Sequence, residues 1–137
     1  MIAVDSGFLY AIADAGDAWH GRALRQRGSV EEGWLTTWPV LTETCHLLAS
    51  RLGPDFAAAL VQDVGRGAVG VWELPHDACK RMHTMMRKYA RLPMDLADAS
   101  LVLLAEHLGH GRILSTDERD FGVYRWKGRK PFHNLLS

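Results

Sequence analysis

The chain predicts an α/β domain built on a central, mostly parallel sheet, and three observations support this. Short aliphatic runs recur along the sequence, and most are followed by a stretch with helical periodicity. Those stretches are long enough to serve as crossovers, which parallel strands require. Acidic residues also stand just beyond the first and last of these runs, at the strand ends where such sheets bind ligands. The expected architecture is a three-layer sandwich with about four or five strands and helices on both faces.

Each element has its own signal. Ile2-Ala-Val reads as a buried strand, 6–13 as the helix after it, and 19–27 as a second helix. Trp34-Leu-Thr-Thr reads as a strand. Pro39 suits the first residue of a helix running to Arg51. Gly53-Pro54 breaks that helix, and 55–64 forms the next. Val69-Gly-Val-Trp-Glu-Leu alternates as a strand does, and 77–89 is helical. Leu92-Pro93 interrupts the chain before a strong helix over 96–108, capped by Gly109. Arg112-Ile-Leu-Ser-Thr predicts a fourth strand, and 124–135 a last edge strand. No repeat or linker divides the chain, so 1–137 is expected to be a single domain.

Bulk composition narrows the class. With 47% hydrophobic and 23% charged residues, the sequence suits a globular protein rather than a disordered one. Its apolar runs, such as Leu101-Val-Leu-Leu-Ala, are far too short to cross a bilayer, so no membrane association is expected. Asp5 interrupts any basic-then-apolar leader pattern, and the expected location is the cytoplasm. Cys45 and Cys79 allow one bridge at most and are expected to stay reduced as small buried hydrophobes. A formal net charge of zero hides an asymmetry. Residues 1–65 carry four Arg or Lys against eight Asp or Glu, whereas 66–137 carry twelve against eight. Much of the basic excess lies in Lys80-Arg81, Arg87-Lys88, Arg91 and the run Arg125-Trp-Lys-Gly-Arg-Lys. A basic rim beside an acidic centre suits a polyanionic substrate, and a solvated helix face would read the same way.

The acids carry the chemistry. Asp5 follows the first strand, Glu43 lies in Pro39-Val-Leu-Thr-Glu-Thr, Asp95 and Asp98 in Met94-Asp-Leu-Ala-Asp-Ala, and Asp117 in Leu114-Ser-Thr-Asp. Taken singly, each aspartate reads as a cap or turn residue, and Asp95 with Asp98 reads as a capping box. Glu43 fits that reading less well. It lies inside its helix, flanked by Val40 and Leu47 at three- and four-residue spacing, and so needs a partner or an escape to water. Asp5, Asp98 and Asp117 all map to one end of the expected sheet, with Glu43 in the first turns of a helix that starts there. Two carboxylates at 4 Å repel by roughly 4 kcal/mol at an effective dielectric of about 20. Several together either take up protons or bind a hard divalent cation with oxygen ligands, Mg²⁺ or Mn²⁺.

These four motifs, in this order and spacing from Met1 to about Phe121, resemble a PIN-domain ribonuclease, closest to the VapC-type toxins of bacterial toxin–antitoxin pairs. No single motif is specific; four in register are. The resemblance implies that Asp5, Asp98 and Asp117 hold Mg²⁺ or Mn²⁺, and that Glu43 completes a catalytic quartet. Asp95 and Asp120 match accessory acids. Ser6, Ser115 and Thr116 stand beside ligand acids, where local turn bonding is an equal reading. The implied reaction is hydrolysis of single-stranded RNA to 5′-phosphate and 3′-hydroxyl ends, with a cognate antitoxin and a homodimer as implied partners. An RNA- or protein-binding module of the same fold that lacks catalysis is the alternative.

Other constellations are weaker. His107 and His110 lack a third metal ligand in sequence, and Cys45 beside His46 has the wrong helical geometry for a nucleophile–base pair. Trp38 and Trp126 are candidates for stacking on bases, although core or interface roles are the plainer reading. A dehalogenase-type phosphatase needs a second aspartate where Gly7 stands, and the order of the acids excludes a receiver domain.

Overall fold

Strand β1 (Ile2–Val4) consists of three aliphatic residues with almost no solvent exposure, as expected for a strand covered on both faces. The structure, a computed structural model, describes residues 1–137. After β1 come α1 (Ser6–Ala13), α2 (His20–Ser29), β2 (Trp34–Thr36), α3 (Trp38–Arg51), α4 (Pro54–Gly65) and β3 (Val69–Val71). The chain continues through α5 (Ala78–Lys88), α6 (Leu96–Leu108), β4 (Arg112–Leu114) and α7 (Glu118–Val123). It ends with three two-residue strands, β5 (Arg125–Trp126), β6 (Lys130–Pro131) and β7 (His133–Asn134).

The main sheet has the order β3-β2-β1-β4-β7, and every pairing in it is parallel. Successive strands from β1 to β3 step outward in one direction, and β4 returns to the other side of β1. Right-handed crossovers therefore place α1 to α4 on one face and α5 and α6 on the other, the expected three layers. Helix α6 is apolar nearly all round, with Ala97 and the run from Ala99 to Ala105 buried. Such a helix must be enclosed, and it packs on α5, α3, β1 and β5. All parallel strands share one carboxyl edge, so Asp5, Thr37 and Ser115 emerge together there.

Several expectations need correction. The strand expected over 69–74 pairs only through Val71; Trp72 donates a further bond to the Thr36 carbonyl before the chain departs towards Pro75. The tail forms an antiparallel hairpin, β5–β6, separate from the main sheet, before β7 adds the parallel edge strand. Positive φ at both Lys127 (50°) and Gly128 (74°) closes that hairpin, the handedness that suits twisted strands. Trp126, a candidate for base stacking, is instead 6% exposed, and its Nε1 donates to the Pro131 carbonyl at 3.0 Å. Gly111 lies against it: a Cβ there would come within 2.5 Å of Trp126 Nε1 and 2.8 Å of the Pro131 oxygen. Cys79 is exposed and Cys45 half-buried, so neither is the buried hydrophobe expected. No helix is long and apolar enough to cross a membrane.

Candidate active site at the carboxyl edge of the sheet

Asp5 leaves the end of β1 and caps α1, so its carboxylate is fixed where the central strand stops. Oδ1 accepts from the Ser6 amide at 2.7 Å, and Oδ2 accepts from the Ser115 hydroxyl at 2.8 Å. The Ser6 hydroxyl also donates to Glu43 Oε1 at 2.5 Å and stands 3.4 Å from Asp5 Oδ1, so one serine links the first strand to α3. Ser115 does the same on the other side, since its oxygen accepts from the Asp117 amide at 3.0 Å. Thr116 makes no comparable bond; it lies over Gly7, leaving no room for a Cβ at that glycine.

Asp95 and Asp98 form the capping box that opens α6. Asp95 Oδ1 accepts from the Asp98 amide at 2.8 Å, and Asp98 Oδ2 accepts from the Asp95 amide at 3.5 Å. The structural role leaves Asp98 available: its Oδ2 also accepts from the Tyr124 hydroxyl at 3.0 Å. Asp117 and Asp120 repeat the arrangement at α7, where Asp117 Oδ1 accepts from the Asp120 amide at 2.9 Å. Asp120 is buried and paired with Arg119 Nε at 3.2 Å. Glu43 and Asp95 border an open depression of about 660 Å³ between the amino-terminal halves of α3 and α6.

Electrostatics ties these residues into one group. Burial raises the Asp5 carboxyl to about 6, the hydrogen bonds from Ser115 and Ser6 pull it down, and the charges of Glu43 and Asp117 push it further up. Burial raises Asp98 to about 8, with the charges of Asp95 and Asp5 adding to the shift. Asp117 is raised as well, chiefly by burial. No lysine or arginine offsets Asp5 or Asp98. Oxygen-only donors with unbalanced negative charge suit a hard divalent cation. The geometry is looser than the chemistry, because no three acids are drawn together closely enough to enclose an ion as they stand. Serine and tyrosine hydroxyls donate to the carboxylates of Asp5, Glu43 and Asp98.

Four supporting residues escape sequence reading. Tyr124 is fully buried, and its hydroxyl pKa is pushed up by burial and by the charge of Asp98, with Asp120 and Asp117 contributing. Asn134, in β7, clamps Ser115 by accepting from its amide at 3.2 Å and donating to its carbonyl at 2.9 Å. Thr37 and Ser100, both without exposed surface, meet hydroxyl to hydroxyl at 2.6 Å and join the starts of α3 and α6. No local pattern marks these residues, because each acts through a contact distant in sequence.

A five-stranded parallel sheet in this order, with carboxylates set around its carboxyl edge, defines a PIN-like α/β protein. The chain is 28% identical over 125 residues to Ribonuclease VapC26 of Mycobacterium tuberculosis, covering 89% of this chain and 90% of that one. It superposes on the crystal structure of M. tuberculosis VapC20, described as a sarcin–ricin loop cleaving toxin, with a TM-score of 0.80 and 26% identity. That match covers 87% of this chain and 92% of the other. No protein-family model matches the sequence. In sequence and in fold the chain is thus similar to VapC-type PIN-domain ribonucleases.

Proposed function

We propose that the chain is a divalent-metal-dependent endoribonuclease that hydrolyses phosphodiester bonds in single-stranded RNA and serves as the toxin of a toxin–antitoxin pair. One observation carries the reading. Asp5, Glu43, Asp98 and Asp117, spread over more than a hundred residues of sequence, surround one edge of the sheet, where the charges of Glu43 and Asp117 act on Asp5 and that of Asp5 on Asp98.

Asp5, Asp98 and Asp117 are the residues that would hold Mg²⁺ or Mn²⁺, with Glu43 beside them. Such an ion supplies a water of lowered pKa and polarises a phosphate oxygen. The chain's own groups do the positioning. Ser6 and Ser115 fix the Asp5 carboxylate from both sides, and Tyr124 fixes Asp98. Glu43, held by the Ser6 hydroxyl on the side of the open depression, is placed to orient a water and accept its proton. Asp95, exposed at the rim, is the second candidate for that role. An in-line displacement there leaves a 5′-phosphate and a 3′-hydroxyl.

The test is cleavage of single-stranded RNA with Mn²⁺, with EDTA, and by Asp5→Asn, followed by sequencing of the new 5′ ends. Metal-dependent cuts that vanish in the variant support the reading. Saturable metal binding without cleavage would instead indicate a binding module of the same fold. The homodimer and the blocking antitoxin belong to the same proposal; a basic side chain inserted among the acids would satisfy them as a cation does.

A further inference from the structure

We infer that the groove between α5 and the β5–β6 hairpin binds the RNA backbone beside the cut, so that the substrate is gripped by phosphate contacts outside the acidic centre. This rests on the ribonuclease reading and adds a second contact surface to it. Two basic runs some forty residues apart in sequence line one cavity of about 530 Å³, with Lys80, Arg81 and Lys88 on the helix side and Arg125 on the hairpin side. Lys80, Thr84 and Lys88 recur every fourth residue and so share one ridge of α5, the Cα atoms of the two lysines about 12 Å apart along the axis.

The cations are not equivalent. Arg81 is committed to Glu106, with Nη2 at 2.8 and 2.9 Å from the two carboxylate oxygens. Arg125 is pinned by Nη1, which donates to the carbonyls of Gly122, Val123 and Tyr124 at 3.0 to 3.1 Å and closes the end of α7. Lys80 and Lys88 have no carboxylate partner. With Asp77 and Glu106 as the acids of the lining, the four bases leave the groove net positive. A polyanion with regularly spaced charges suits such a surface.

Continuity with the acidic centre favours RNA over an acidic protein. Tyr89 forms part of the groove wall and its hydroxyl accepts from the Arg125 amide at 3.2 Å. Its ring meets Tyr124 edge-on at 5.1 Å between centroids, and Tyr124 donates to Asp98. Two aromatic rings therefore separate the groove from the carboxylates.

The test uses the full chain and the double variant Lys80→Gln/Lys88→Gln, whose sites are exposed. Cleavage is measured on an RNA with unstructured sequence on both sides of the mapped cut and on a short oligonucleotide covering only the cut. The expected result is a higher KM on the long RNA with unchanged kcat, and no change on the short one. The salt slope of log KM should fall by about 1.4, two phosphate contacts at about 0.7 each for a single strand. An unchanged KM and salt slope on the long RNA overturn the inference even when cleavage itself is sound. Should the wild-type chain cut no RNA, anisotropy of the labelled long RNA still reads the groove. A binding difference between wild type and variant upholds it, and equal binding overturns it.

Discussion

The Tyr124 hydroxyl donates to Asp98 Oδ2 at 3.0 Å, and the tyrosine that makes this bond has no exposed surface. A buried phenol thus holds one carboxylate of the site in place while its ring packs edge-on against Tyr89 and Phe121. Tyr124→Phe keeps both ring contacts and removes only the donor. Stability should fall by about 1 kcal/mol, the usual net worth of such a bond. RNA cleavage should fall by roughly tenfold or more, as expected when a partner that orients a ligand is lost. Urea unfolding together with single-turnover cleavage measures both; wild-type kcat in a folded variant would show that Asp98 needs no such support.

Asp5 sets function against stability. Its carboxyl rises from 3.8 to about 6 in the fold, so the ionised form costs about 3 kcal/mol at pH 7 and above. Asn keeps an oxygen for the Ser6 amide but must reorganise the Ser115 bond, which offsets part of the gain. Asp5→Asn should therefore be more stable than wild type by about 1–3 kcal/mol in EDTA at pH 8, while losing cleavage. Equal or lower stability would mean that Asp5 is not under electrostatic strain.

The same shifts fix the sign of the pH dependence. Asp5 (about 6) and Asp98 (about 8) bind their protons more tightly folded than unfolded. Their contribution is fully present below about pH 4 and is lost as pH rises through about 6 for Asp5 and about 8 for Asp98. In EDTA these two groups should lower Tm steadily between about pH 4 and 8. Mn²⁺ should reverse that decline most strongly at the alkaline end, because the ion competes with protons. Scanning calorimetry at several pH values, with and without Mn²⁺, checks this. A Tm gain from Mn²⁺ that is independent of pH would separate metal binding from these carboxylates.

The sequence showed most clearly what is encoded locally. The bounds expected for α1 and α6 match the structure, since Asp5 and Asp95 cap the helices and Gly109 ends α6 in a left-handed conformation (φ 78°). The tail was far less legible. Helix α7 is only six residues long and carries no periodic apolar stripe, and the hairpin depends on Lys127 adopting a positive φ that glycine normally takes. The four acids could be named because each follows an apolar run or sits on a helix, whereas Tyr124 and Asn134 could not. Their roles depend on contacts across 26 and 19 residues of sequence. The convergence of Lys80 and Lys88 with Arg125 was hidden for the same reason: the bases were visible in sequence as two runs, but their shared groove was not.

Gly7 ties the loop after β4 to the start of α1, and a Cβ there would overlap Thr116 Oγ1 and come within 3.2 Å of Thr116 Cβ. Thr116 is flanked by Ser115, which holds Asp5, and by Asp117. Gly7→Ala should therefore push this segment outward, cost about 1–3 kcal/mol and depress cleavage beyond what the stability loss explains. Thr116→Ala removes the overlapping hydroxyl and, by itself, should do little, since that hydroxyl bonds to none of the acids. The double variant should recover most of the cleavage rate lost in Gly7→Ala, a coupling of about 1 kcal/mol or more in a double-mutant cycle. Additive effects of the two changes would mean that the glycine acts through helix α1 alone and not through the carboxylate-bearing loop.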